Sequence, residues 1–338
     1  MNEPVTVLQS FPEPRPTTNP YLVMLAAALR AHPGVTVVNF SWRTALLRRY
    51  DVFHVHWPEI LVDGRSSIKK LVRQALTFCL IVRLWLTRTA IVRTVHNVRL
   101  PQGISWREKV LLQLLERRTT LRIRLSAATE LRSALPVATI LLGHYRDWYA
   151  AHPAKRPVRS QFGFTGLIRR YKGVERLIHE FRAIDLDDAT LLVGGQPTTP
   201  ALADEVRQAA AGDARITLRL SFLSDREYVD TVTSSELVVL PYRFMHNSSA
   251  LITALSLGRP VLVPDNVVNR DLSTEVGPGW IIRYPGELTA ADLSRALHEV
   301  RLVPDRAPPD LSRRGWERTG TEHVAAYRRA IRMRRGAM

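Results

Sequence analysis

Phe162-Gly-Phe-Thr-Gly166-Leu-Ile-Arg169-Arg170-Tyr-Lys172-Gly173-Val-Glu-Arg-Leu-Ile178 reads as three pieces in succession. Phe162–Thr165 is a short apolar run suited to a buried strand. Gly166 and Gly173 bracket a loop carrying Arg169, Arg170 and Lys172, and a helix begins near Gly173. A buried strand that opens through a glycine loop into a helix is half of a βαβ unit. Repetition of that unit builds a parallel sheet with helices on both faces. The repetition continues downstream: Ala189–Val193, Ile216–Leu220, Leu237–Leu240 and Pro260–Val263 read as strands, with helices beginning near Pro200, Asp225 and Ser248. Ser224 and Glu227 have the spacing of a capping box, which starts a helix just after Ser224.

Upstream the same alternation recurs. Val5–Leu8, Val35–Phe40, Val52–His56, Ala90–Val95 and Ile123–Leu125 read as strands, and Tyr21–Ala31 and Trp106–Arg118 as helices between them. A chain of 338 residues exceeds the usual single-domain size, so two α/β domains are expected, 1–152 and 160–313. Ala151–Ser160, with two prolines and no apolar periodicity, is the expected linker. The basic segment 314–335 reads as a terminal helix that packs back on the first domain. Two such domains predict a cleft between them that takes the ligand.

The lone cysteine, Cys79, can form no internal disulfide and has no companions for a zinc site, which points to a reducing cytoplasm. The start, Met1-Asn2-Glu3-Pro4, lacks the basic and apolar regions of a signal peptide. Ile68–Leu86 is the most membrane-like run. It contains Lys69, Lys70, Arg73, Gln74 and Arg83, and such cations cost about 2.5–3.5 kcal/mol each at a bilayer centre. A buried or membrane-surface helix is therefore expected, with no spanning segment. The formal charge of +17 suits a solvated basic surface or attachment to the anionic inner face of the plasma membrane. Nucleic acid is disfavoured, because no recognition motif or basic-aromatic platform is present.

Two elements carry the chemistry expected of the second domain. The loop Gly166–Gly173 offers cations directly after a strand, Arg for bidentate contact and Lys as a point charge. Asn247-Ser248-Ser249 feeds the helical run Ala250–Leu257, where free backbone N–H groups and two hydroxyls could meet a diphosphate, although Ser and Asn also favour ordinary helix caps. Both elements lie at the carboxyl end of the same sheet.

The residues quoted so far resemble the donor domain of GT-B glycosyltransferases, in the style of family 4 and of bacterial exopolysaccharide mannosyltransferases. Phe162–Ile178 is similar to that family's G-x-x-x-x-x-K-G loop and following helix, Leu192-Val-Gly194-Gly-Gln-Pro197 to its next strand and turn, and Ala254–Val261 to its E-A-x-A-x-G-x-P-V helix. The resemblance implies an α/β, GT-B architecture of two Rossmann-like parallel-sheet domains facing a central cleft. It also implies that Gly166, Arg169 and Lys172, with the Asn247–Ser249 helix start and Gly194, hold a donor diphosphate, and that Phe222 and Ser224 line the base. The family's two glutamates are replaced by Met245 and Thr253, and its loop arginine by Leu167. These departures point to a divergent branch.

In the first domain, Asp51-Val-Phe-His54-Val-His56-Trp57-Pro-Glu59 and Thr94-Val-His96-Asn97 are strands that emerge into polar, aromatic loops. Glu59 and His96 are the candidate proton acceptors, and His56, Trp57, Thr18 and Asn19 the candidate acceptor contacts. Thr18 and Asn19 could equally be a helix start ahead of Pro20; His54 reads as a core residue. The expected reaction moves a sugar, mannose from GDP-mannose first, from a nucleotide sugar to a lipid-linked saccharide, with no cofactor and no protein-bound metal. A UDP-sugar transferase, a nucleotide-sugar epimerase and a non-catalytic nucleic-acid or lipid binder are the alternatives.

Overall fold

The computed structural model describes residues 4–64, 66–97, 103–131 and 135–336. The chain divides into two compact units, Met1–Gly143 with Arg314–Met338, and His144–Arg313.

The first unit is built on six parallel strands: β1 (Val5–Gln9), β2 (Val35–Val38), β3 (Val52–Val55), β4 (Ala90–Val95), β5 (Leu121–Arg124) and β6 (Val137–Thr139). Their spatial order is β2-β1-β3-β4-β5-β6. Leu8, Phe53, Val55 and Ile91 from the sheet pack with Leu80, Ile81 and Leu84 from the helix Ser67–Leu86. The terminal helix Trp316–Arg335 covers the other side, against β1, β4 and the helix Pro20–Ala31.

The second unit holds β7 (Gln161–Thr165), β8 (Thr190–Gly194), β9 (Ile216–Arg219), β10 (Leu237–Val239), β11 (Val261–Pro264) and β12 (Ile281–Tyr284), all parallel, in the order β12-β11-β10-β7-β8-β9. Phe162, Phe164, Val238, Val239 and Leu262 are fully buried. That fits strands covered on both faces, whose sequences read as unbroken apolar runs.

Each sheet has one place where the chain reverses its direction of growth. In the first unit it lies between β1 and β3, in the second between β7 and β10. Loops leaving neighbouring strands diverge there and open a crevice at the carboxyl edge, which is where open α/β sheets bind ligands.

Two expectations change. The segment Ala151–Ser160 has no regular structure, but it is fastened to the second unit and is no free linker. The Lys155 amide donates to Thr233, the Val158 amide donates to the Ser234 carbonyl, and Lys155 pairs with Asp230. The unit boundary falls instead at Gly143/His144, where a Cβ on Gly143 would lie 2.6 Å from the Trp316 ring. The helix Ser67–Leu86 turns Gln74, Thr77, Leu80, Ile81 and Leu84 inward and leaves Ile68, Leu71, Val72, Phe78, Trp85 and Leu86 exposed. Its solvent side is thus an apolar stripe at helical spacing. Among the described residues no helix is long and apolar enough to cross a membrane.

Candidate active site

At the β7/β10 crevice, backbone meets backbone so closely that glycine is required. Gly166 sits at φ 115° and its amide donates to the Gly194 carbonyl at 3.0 Å. A Cβ on Gly195, at φ 151°, would fall 1.9 Å from the Gly166 oxygen. Gly173, at φ 64°, lies under the β10 loop, where a Cβ would come 2.5 Å from the Pro241 oxygen. The Arg243 amide donates to the Tyr171 carbonyl at 2.8 Å and joins the two loops. At Gly195 and Gly173 only glycine tolerates both the positive φ and the contact distance.

The three cations of the loop have separate fates. Arg170 is held by Glu205 through two bonds of 2.6 and 2.7 Å on the surface. Arg169 and Lys172 pair with no carboxylate among the described residues. Lys172 is half-buried, with Nζ 5.0 Å from the centroid of the Tyr242 ring. Its loss of solvent, with the charge of Arg169 beside it, lowers its pKa to about 8. A desolvated ammonium without a counter-ion carries an uncompensated charge that an anion could offset. Beside it the helix Val174–Arg182 begins at Gly173 with no side chain capping its first turn.

Across the crevice the Ser248 hydroxyl caps the helix Ser249–Ser256 by accepting from the Leu251 amide at 3.2 Å. Tyr242 and Tyr145 are buried nearby, and their hydroxyls have no hydrogen-bond partner among the described residues. Asn247 is half-buried, with its side-chain nitrogen enclosed and unpartnered. Met245 is buried against Asn266 and Asn269, and the buried Thr253 hydroxyl interacts with Tyr228, so neither position offers a carboxylate. Phe222 is 60% exposed beyond β9. Ser224 is taken up by helix capping, giving its proton to Glu227 at 2.7 Å and accepting from the Glu227 amide.

In the first unit the carboxyl ends of β1, β3 and β4 meet in a cluster of imidazoles. His56 Nε2 lies 3.1 Å from Gln9 Oε1 and His56 Nδ1 lies 3.3 Å from His96 Nε2. Trp57 stacks on His96 at 3.9 Å, and Tyr21 meets it edge-on. His54, one turn of the pleat deeper, is bonded to Thr94 and to Tyr327. Burial lowers the pKa of all these imidazoles, well below the usual histidine value for His54 and His56 and to about 3 for His96, where Arg93 adds repulsion. Each is therefore neutral at physiological pH. Glu59 opens the short helix Glu59–Val62, and its carboxylate makes no hydrogen bond or ion pair among the described residues. That turn is braced from behind: Arg73 donates to the Asp63 carbonyl at 2.7 Å and Thr77 to the Leu61 carbonyl at 2.9 Å. Thr18 and Asn19 serve the chain start of the helix Pro20–Ala31, Thr18 accepting from the Arg15 amide and Asn19 from the Tyr21 amide. Of the two readings of that loop, helix start is the one these bonds express.

Residues 159–299 match the family described as glycosyl transferases group 1. Over 327 residues the chain is 43% identical to a GDP-mannose:glycolipid 4-beta-D-mannosyltransferase of Xanthomonas campestris pv. campestris, covering 97% of this chain and 93% of the relative. The chain belongs to the group 1 glycosyltransferases. Its fold is GT-B, as in sucrose-phosphate synthase from Thermosynechococcus elongatus (TM-score 0.58, 15% identity, 99% and 98% of the two chains covered). Anabaena Alr3699/HepE in complex with UDP and glucose is equally similar (TM-score 0.58, 14% identity, 98% of each chain).

The transferase brings together, at one sheet edge, the sequence candidates Gly166, Arg169, Lys172, Gly194, Asn247, Ser248 and Ser249. His56, Trp57 and His96 meet at another edge, in the other unit. Sequence reading missed Gln9, His323 and Tyr327, which support the imidazoles, and Tyr242, which underlies Lys172. Gln9 carried a faint signal, a polar residue closing an otherwise apolar strand. Tyr327 had none, being one aromatic in a basic terminal helix.

Proposed function

We propose that the transferase moves mannose from GDP-mannose to a hydroxyl of a lipid-linked saccharide and inverts the anomeric centre. The observation that carries this is the likeness to the Xanthomonas mannosyltransferase over nearly the full length of both chains. From an α-linked sugar nucleotide, a β-mannoside forms only by net inversion. The acceptor oxygen attacks the anomeric carbon, the bond to the diphosphate breaks, and the acceptor proton passes to a base, for which Glu59 is our candidate. Negative charge grows on the departing GDP. Arg169, Lys172 and the open helix start after Gly173 meet it there, with no resident metal or cofactor required, because preorganised cations and dipoles act where charge develops.

A thermal-shift series with GDP, UDP and ADP tests the donor. A ligand that binds only the folded chain stabilises it by about 2.7 kcal/mol at a hundredfold excess over Kd. GDP is expected to raise Tm, and the Arg169→Ala, Lys172→Ala double variant to lose the shift. Because Lys172 gives up its proton as pH rises through about 8, GDP affinity should fall above that pH and hold in Lys172→Arg. A shift with UDP and none with GDP would reassign the base, and consumption of the sugar nucleotide without acceptor would favour an epimerase.

The second part of the proposal is attachment to an anionic membrane surface. It is supported by the apolar stripe of the helix Ser67–Leu86, with Ile68 78% and Leu86 69% exposed, set among Lys69, Arg73, Arg83 and Arg88. Apolar burial plus attraction to anionic lipid is how interfacial helices bind. Arg73 and Thr77, on the side of this helix away from the stripe, brace the Glu59 turn, so docking the helix would tether that turn near a membrane-bound acceptor with the helix between them. Flotation with phosphatidylglycerol-containing vesicles should carry the protein up, and Phe78→Glu, Trp85→Glu should abolish it. Equal flotation with neutral vesicles would remove the electrostatic part of the reading.

A further inference from the structure

Six side chains of the first unit form one hydrogen-bonded line. Thr94 Oγ1 lies 2.8 Å from His54 Nε2, His54 Nδ1 2.7 Å from the Tyr327 hydroxyl, and that hydroxyl 3.4 Å from Gln9 Nε2. Gln9 Oε1 lies 3.1 Å from His56 Nε2, and His56 Nδ1 3.3 Å from His96 Nε2. Five of the six are buried; His96 ends the line half-buried, and its Nδ1 makes no hydrogen bond among the described residues.

Donor and acceptor roles along such a line are not independent. A neutral imidazole has one donor nitrogen and one acceptor nitrogen, and an amide has distinct donor and acceptor ends. Gln9 breaks the symmetry. Its oxygen can only accept, so His56 must carry its proton on Nε2. His56 Nδ1 is then bare and can only accept, so His96 must donate from Nε2. In the other direction the Gln9 amide donates to the Tyr327 oxygen. Tyr327 gives its own proton to His54 Nδ1, and His54 donates from Nε2 to Thr94. Every group is satisfied once, in one polarity. The reverse polarity would need the amide turned over and would leave every imidazole in its other tautomer.

We infer that Gln9 and Tyr327 are positioning residues that hold His96 as its Nε2–H tautomer, so that its Nδ1 presents a lone pair to a sugar hydroxyl. His96 then accepts a hydrogen bond from a substrate hydroxyl, and stacking on Trp57 keeps the ring in place. One of the six side chains, Tyr327, comes from the terminal helix Trp316–Arg335, so a segment remote in sequence anchors the Gln9 amide that sets the hydrogen-bonding sense of the β3 and β4 ends. The substrate contact rests on the proposed transfer reaction; the tautomer does not.

Long-range proton–nitrogen correlation on the ¹⁵N-histidine-labelled full chain at pH 7.5 separates the two tautomers, with resonances assigned by single His→Gln variants. His54, His56 and His96 are expected as Nε2–H forms, and an Nδ1–H form at His96 would overturn the inference regardless of what the enzyme transfers. Tyr327→Phe keeps the ring and removes only the hydroxyl. It should lower kcat about tenfold, the scale of one lost hydrogen bond, while donor KM stays within a factor of two or so. Unchanged kcat, or a rise in donor KM alone, would refute a positioning role. In Gln9→Leu the His96 spectrum should become a tautomer mixture; a single unchanged form would equally refute it. Should that variant fail to fold, the unsubstituted protein's spectrum decides the matter alone.

Discussion

Glu59→Gln is expected to lower kcat by about 10²–10⁴-fold, the contribution of a positioned general base, and to leave GDP affinity unchanged. Three features support that size of effect. The carboxylate is held on a turn braced from behind by Arg73 and Thr77. It has no internal partner among the described residues, so it is free to take a proton. The other candidate, His96, has its pKa lowered to about 3 by burial and by Arg93, which makes it a weak proton acceptor at neutral pH. His96→Ala should therefore cost less than Glu59→Gln. Initial rates at saturating donor and acceptor, with GDP binding measured separately, check this. Wild-type turnover in Glu59→Gln would place the base elsewhere, and a larger loss in His96→Ala would reverse the two roles.

Mild acid is expected to destabilise the first unit before most surface carboxylates titrate. His54, His56, His96 and His323 all have lowered pKa values, burial being the largest cause in each case, with His96 at about 3 and His323 at about 4. The groups facing them are Gln9, Thr94, Tyr21, Trp57, Tyr327, the Thr319 carbonyl, which works against the lowering at His323, and the distant charge of Arg93, and none is a carboxylate. In the unfolded chain these imidazoles bind protons from about pH 6.5 downward, whereas in the fold they do not until far lower. Stability is thus intact above pH 6.5 and declines as pH falls below it, by up to about 1.4 kcal/mol per pH unit for each histidine. Four such groups over two pH units remove about 11 kcal/mol at most, comparable with the whole stability of a typical domain. Circular dichroism melts between pH 7.5 and 4.5 should show a steep loss of Tm for the first unit. A flat profile over that window would mean the imidazoles already titrate in the fold.

How far the sequence could be read depended on how local the signal was. Ala90–Val95 and Trp106–Arg118 emerge with the limits read from periodicity alone, because an apolar run or a helical stripe is written in neighbouring residues. The three-residue edge strand β6 and the strand β12 behind a Gly-Pro-Gly turn were not read: Thr139 and Arg283 interrupt them, whereas the equally short β10 is an unbroken apolar run. Ala151–Ser160 read as a linker for its prolines, yet Thr233, Ser234 and Asp230 fasten it down, and those partners lie some 80 residues on.

By itself, the sequence determined the alternation that builds two parallel sheets, the glycine-bracketed cationic loop after Phe162–Thr165, and enough likeness to name the glycosyltransferase class. Local spacing and residue chemistry suffice for those. The tertiary structure alone decided which cations remain available, because Arg170 is claimed by Glu205 on a separate helix while Arg169 and Lys172 are not. It alone turned the apolar stripe of Ser67–Leu86 outward. It also joined Gln9 and the β3 and β4 imidazoles to Tyr327, across more than 300 residues of chain in the case of Gln9. Those outcomes depend on which distant elements share a sheet edge or a helix face, and the physical reason they escape sequence reading is that pairing of remote side chains is settled only when the whole core packs.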